Sequence, residues 1–215
     1  MRINTRIKRF LFFSLFFFPL VLHAEERTPQ WFSLELKGGF WLPQDKTTDS
    51  LLGLCCHGTI GTEFGFLWQS KFGAEIGVGF LKDGGHALGK GSGRVSGDTF
   101  DLLLLPMKNN FTFRADFQEN QIVVPYVKSG FDYVYYRENL EGKVTQGLKT
   151  GYHGTAGVQF LMEFAESLTH EMEQEMGIND LYLTLEGQFA KVDSFGKTGL
   201  DLSGWTLQAG LLFEF

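Results

Sequence analysis

From Trp205 to Phe215 the chain reads Trp-Thr-Leu-Gln-Ala-Gly-Leu-Leu-Phe-Glu-Phe. Every second residue is apolar: Trp205, Leu207, Ala209, Leu211, Phe213 and Phe215. Between them stand small or polar residues, Thr206, Gln208, Gly210 and Glu214. Successive side chains of a strand point to opposite faces, so a period of two gathers the apolar set on one side. Few folds can use many such strands at once, and the same period recurs through most of the chain.

Trp31 to Trp41 sets Phe32, Leu34, Leu36 and Phe40 against Ser33, Glu35 and Lys37, and is read as strand one. Leu42 to Gly58 is a long loop. Thr59 to Trp68 is strand two, with Ile60, Thr62, Phe64 and Phe66 opposite Gly61, Glu63, Gly65 and Leu67. A short turn over 69–71 leads to strand three, Phe72 to Phe80, which sets Ala74, Ile76 and Val78 against Gly73, Glu75 and Gly77. These two strands form the clearest hairpin signal. Leu81 to Gly97 is a second long loop. Thr99 to Arg114 is strand four, where Pro106 predicts a bulge. A polar turn over 115–121 precedes strand five, Ile122 to Arg137. A loop over 138–149 leads to strand six, Gly151 to Phe164. There the period changes. Phe164, Leu168, Met172 and Met176 recur every fourth residue before Gly177, which predicts a short amphipathic helix. Leu181 to Lys191 is strand seven, and a loop over 192–203 leads to the closing strand.

The amino terminus has a different character. Arg2, Arg6, Lys8 and Arg9 precede an apolar run from Phe10 to Leu22, and Leu22-His23-Ala24 offers a cleavage site. That order predicts a secretory signal peptide over 1–24, with the barrel domain over 25–215. The run is too short to span a bilayer, which takes about 20 apolar residues. Without it, 15 basic residues face 25 acidic ones, a net charge of −10. Such a chain is a poor partner for nucleic acid, whose phosphates need Lys and Arg.

Alternation with charges on the second face has one consistent solution. In lipid every backbone amide must be bonded within the protein, so the sheet must close. A Lys or Arg facing lipid at mid-depth costs roughly 2–4 kcal/mol, so the charged face points inward. The predicted fold class is therefore all-β: an eight-stranded antiparallel transmembrane up-and-down β-barrel, with one short periplasmic helix between strands six and seven. The expected lumen network is Glu35, Lys37, Glu63, Glu75, Lys128, Asp132, His153, Glu163 and Glu186. An interior of this size is one that side chains just fill.

The aromatic carboxy terminus, with Phe213 and Phe215 in alternation, resembles the terminal membrane-assembly signal of bacterial outer-membrane barrels. From Thr99 onward the chain resembles small barrels of the OmpA/OmpW type. The run Glu175-Met176-Gly177-Ile178-Asn179-Asp180-Leu181-Tyr182-Leu183 is similar to one in an uncharacterised outer-membrane barrel family, and Val192-Asp193-Ser194-Phe195-Gly196 continues the likeness. Met176 departs from the aromatic residue expected there. The resemblance implies the outer membrane of a Gram-negative-type bacterium. It also implies outer-membrane lipid, lipopolysaccharide and the barrel-assembly machinery as partners, and a monomer.

The remaining motifs carry little chemistry. Gly84-Gly85-His86-Ala87-Leu88-Gly89-Lys90-Gly91 mimics a phosphate loop but lacks the Ser or Thr after Lys. His170-Glu171 has no second His four residues on. Cys55-Cys56-His57 offers two adjacent thiols, which chelate poorly, so no metal or cofactor is expected. His153-Gly154-Thr155 invites comparison with lipid A deacylases, which carry a His and a Ser two apart on the lipid face. Here the hydroxyl belongs to Thr, and strand parity turns His153 inward. The expected function is structural or surface-interacting and not enzymatic. The alternatives are OmpW-like passive transfer of small or hydrophobic molecules, and a lipid A-modifying hydrolase.

Overall fold

A computed structural model of the protein describes residues 31–45, 56–69, 71–88, 95–118, 121–140, 142–162, 178–196 and 200–215. They form β1 (Phe32–Pro43), β2 (His57–Trp68), β3 (Phe72–Leu88), β4 (Val95–Arg114), β5 (Val123–Leu140), β6 (Lys143–Leu161), β7 (Asp180–Lys191) and β8 (Gly204–Glu214). Each strand pairs antiparallel with its neighbours in chain order, and β8 returns to β1 to close the barrel. Closure runs from Ser33↔Glu214 to Pro43↔Gly204. It is extended at one end by Phe215 N–H donating to Phe32 O at 2.9 Å.

The alternation sets the two faces. Outside, Phe40 is 56% exposed, Ile60 63%, Ile76 62%, Phe111 66% and Leu207 57%. Inside, Glu35 is 2% exposed, Glu63 6% and Lys128 5%. Water would not tolerate so continuous an apolar surface, since soluble monomers seldom expose apolar patches beyond a few hundred Å². Acyl chains cover it without cost. Aromatic side chains cluster at the two rims, as interfacial girdles do. Trp31 and Phe66 lie 5.7 Å apart and Phe72 and Phe113 5.4 Å apart at one end, and Phe189 and Trp205 5.1 Å apart at the other.

At the end holding both barrel termini the β2–β3 connection is short, from Trp68 to Phe72. In the β4–β5 turn the Gln121 side chain donates to Ala115 O at 2.8 Å and to Val123 O at 2.7 Å, and accepts from Phe117 N–H. At the opposite end the β7–β8 connection begins with a left-handed turn, in which Ser194, Phe195 and Gly196 have φ of 55°, 59° and 83°. The Gly196 backbone N–H holds the Asp193 carboxyl there below its ordinary pKa.

Four expectations need correction. The described residues contain no helix, so the fold class is an eight-stranded all-β barrel without the predicted periplasmic helix. The residues expected to form it, 164–176, lie outside the described ones. A four-residue spacing states only which side chains would align, and short helices need packing to be stable in water. The expected loop over 138–149 is mostly strand, because β5 and β6 pair out to Leu140↔Lys143. The loop expected over 81–97 shrinks likewise, since β3 and β4 pair out to Leu88↔Val95. Pro106 does not form a bulge. It pairs in register with Val134, and the register shift between β3 and β4 lies between His86 and Leu88. Polar and glycine-rich sequence signals exposure, and strands that protrude beyond a membrane are exposed too.

Candidate functional site

Inward-facing charged residues from five strands meet at mid-depth. Lys128 on β5 lies 3.1 Å from Glu35, 2.8 Å from Glu63 and 2.9 Å from Glu75. Lys37 on β1 lies 3.0 Å from Glu35, 3.0 Å from Glu63 and 2.8 Å from Glu186. Hydroxyl and amide donors bind the remaining oxygens. Thr184 donates to Glu35 at 2.6 Å, Tyr126 to Glu186 at 2.9 Å, Thr112 to Glu75 at 2.7 Å and Asn110 to Glu75 at 3.3 Å. Buried charges persist when they are paired and hydrogen-bonded, and here Glu35, Glu75 and Glu186 have both kinds of partner while Glu63 is held by two lysines. Inward glycines make the room. A Cβ on Gly77 would stand 2.8 Å from Glu63 Cγ, and one on Gly65 2.9 Å from Glu75 Cγ. A Cβ on Gly157 would stand 2.5 Å from the Tyr126 ring.

Toward the termini, Arg114 pairs with Glu214 and lies 5.4 Å from the Tyr182 ring centroid. Both charged residues are fully buried. Val124, Tyr182 and Leu212 close this end with an apolar layer.

The other half of the interior holds an apolar cluster. Trp41, Leu81, Leu102, Leu104, Val134, Val192 and Leu202 pack together inside the barrel wall. They leave a cavity of about 70 Å³ whose polar lining is Thr59, Lys108, Asp132, Gln188, Thr206 and Gln208. Lys108 Nζ donates to Gln188 Oε1 at 2.5 Å. Asp132 is held by His153 Nδ1 at 2.9 Å. Above the cavity, buried His57 contacts Asp83 through Nδ1 and lies 5.7 Å from the Trp41 ring. Beside it the β3–β4 ladder is interrupted between Val78↔Met107 and Leu81↔Leu104. Pro106 has no N–H to donate there, and its ring occupies the space where a Cβ on Gly79 would stand.

The structure gathers Glu35, Lys37, Glu63, Glu75, Lys128 and Glu186 into one knot and sets Asp132 with His153 apart from it. Glu163 lies outside the described residues, as does His170. His153 and Thr155 are both buried inside, away from the lipid face where a deacylase pair would work. Cys56 is partly buried, and no group of three metal-ligating side chains occurs among the described residues. Sequence reasoning missed Lys108, Asn110, Thr112 and Arg114 as interior partners. Parity along β4 marks them, since each lies one residue from an outward Met or Phe, but parity does not say whom they meet.

No family model and no curated protein matches the chain. Among solved structures, Neisserial surface protein A is similar with a TM-score of 0.55 and 12% identity, over 86% of this chain and 97% of that one. The outer membrane protein OprG from Pseudomonas aeruginosa is similar with a TM-score of 0.54 and 14% identity, over 86% and 97%. The likeness is one of fold, that of OmpA/OmpW-type barrels. With its apolar exterior, this fold places the chain in a bacterial outer membrane.

Proposed function

We propose that this chain is a closed-waist outer-membrane barrel with a structural or surface-interaction role, not an open pore and not an enzyme. One observation carries the reading: Lys37 and Lys128 are clamped among Glu35, Glu63, Glu75 and Glu186 across the lumen, all within ion-pair distance and nearly all fully buried. A solute crossing the waist would have to break several buried ion pairs at once. On this reading residues 1–24 direct export and Phe213 and Phe215 serve the barrel-assembly machinery. The folded monomer sits among outer-membrane lipid and lipopolysaccharide. Reconstituted in planar bilayers, the protein should give no stable conductance steps at moderate voltage. Regular single-channel openings would defeat the proposal.

A second reading, OmpW-like passive transfer, is favoured by two specific features: the cavity above the waist and the unpaired β3–β4 stretch beside it. On this reading a solute enters from the outer end and leaves sideways to lipid, avoiding the charged waist. Uptake of a small apolar dye into the surrounding bilayer, with the conductance silent, separates this reading from the first.

A further inference from the structure

Lys108 is unlike the two lysines below it. Lys37 and Lys128 each have three carboxylates within ion-pair distance, whereas Lys108 has none among the described residues and is bonded to the neutral Gln188. It is an ammonium at the base of a cavity whose walls include Trp41, Leu104 and Pro106. On the same lining the Gln208 amide is buried with its Oε1 unpartnered. A side-chain amide can turn either its oxygen or its N–H₂ toward an occupant. Asp132, the one carboxylate on the lining, is already engaged by His153.

From these groups we infer that the cavity is a binding site for a short-chain monocarboxylate. The carboxylate accepts from Lys108 Nζ and from the Gln208 amide, and the alkyl part lies against Trp41, Leu104 and Pro106. Three properties select this class. The cation, opposite Asp132 on β5 but with no described carboxylate within ion-pair distance, calls for an anion, because an ionised partner strengthens a hydrogen bond about twofold. The apolar walls favour methylenes. The volume of about 70 Å³ is under half of the ~150 Å³ that accommodates a benzene ring, which excludes long acyl chains. The inference goes beyond the closed-waist reading and holds whether or not the occupant moves on to the membrane.

Trp41 is the tryptophan that lines the cavity, while Trp31 and Trp205 are exposed on the outside, and so is Trp68. The full-length protein in phosphatidylcholine nanodiscs would be titrated with sodium acetate, and separately with ethanol, at constant ionic strength. The expected result is a saturable change in tryptophan fluorescence with acetate that is lost in Trp41→Phe. Lys108→Gln should weaken it about tenfold, the loss of one charge-assisted contact, while leaving the weaker ethanol response unchanged. Ala190→Phe, which fills the same cavity, should abolish both responses with the β-sheet circular dichroism retained. An acetate response that does not saturate, that persists in Trp41→Phe, or that is equal in Lys108→Gln overturns the inference, as does the absence of any response. None of these outcomes bears on conductance, so the waist and the cavity are judged separately.

Discussion

Lys128 is the residue on which the interior turns. It is buried, it touches three carboxylates, and its stem lies near the Tyr126 ring with Nζ 5.3 Å from the centroid. Removing one member of a buried ion network leaves the others uncompensated, typically at about 3–5 kcal/mol. Lys128→Met should therefore lower barrel stability by about that amount, measured by urea unfolding in detergent or lipid. Lys128→Met combined with Glu63→Gln and Glu35→Gln should recover part of the loss, because fewer charges are stranded. If the single substitution has no effect, the knot is not the stabilising feature its geometry indicates. Gly77 belongs to the same account, since it stands beside Glu63 and leaves that carboxylate its place.

Among the strands, β4 is the least regular. Its pairing to β5 runs unbroken from Phe100↔Leu140 to Arg114↔Tyr126, while its pairing to β3 lapses opposite Leu105 and Pro106. Pro106→Val supplies an N–H and removes the ring beside Gly79, so it should restore the ladder. The expected gain is about 1 kcal/mol of stability for one added backbone bond, read as a higher unfolding midpoint. Amide exchange at Gly79 and Phe80 should slow at the same time. If the interruption is the sideways exit of the second reading, dye transfer should fall in the same variant. An unchanged exchange rate at Gly79 would show that the gap has another cause. Pro106 also shows how a sequence rule can be right in kind and wrong in form: the missing donor disturbs the sheet, but as a lapse in one ladder and not as an inserted residue.

At the scale of the whole barrel, the exterior decides where the molecule can exist. Ile76 is 62% exposed between two other strands in the apolar band. Ile76→Lys should cost about 2–4 kcal/mol if it faces the bilayer near mid-depth, measured by refolding into lipid vesicles. The same substitution in a protein facing water would be nearly neutral, so the outcome tests the orientation of the entire sheet.

The architecture was legible because one physical rule acts on every strand. Phe64 and Glu63 cannot share a solvent, and a period of two sends them to different ones. Alternation alone therefore determined the strand count, the closed all-β form and which side chains turn inward. It could not determine the partners of those side chains. Lys37 meets Glu186 across 149 positions of chain, and Lys108 has no described carboxylate within ion-pair distance, only because closure and register bring particular rows to the same height. Local polarity likewise could not separate a loop from a strand at 81–88 and 143–149, since the two differ in whether a neighbouring strand takes their backbone hydrogen bonds. That choice, like the cavity above the waist, belongs to the tertiary structure, where groups distant in sequence first come within bonding distance.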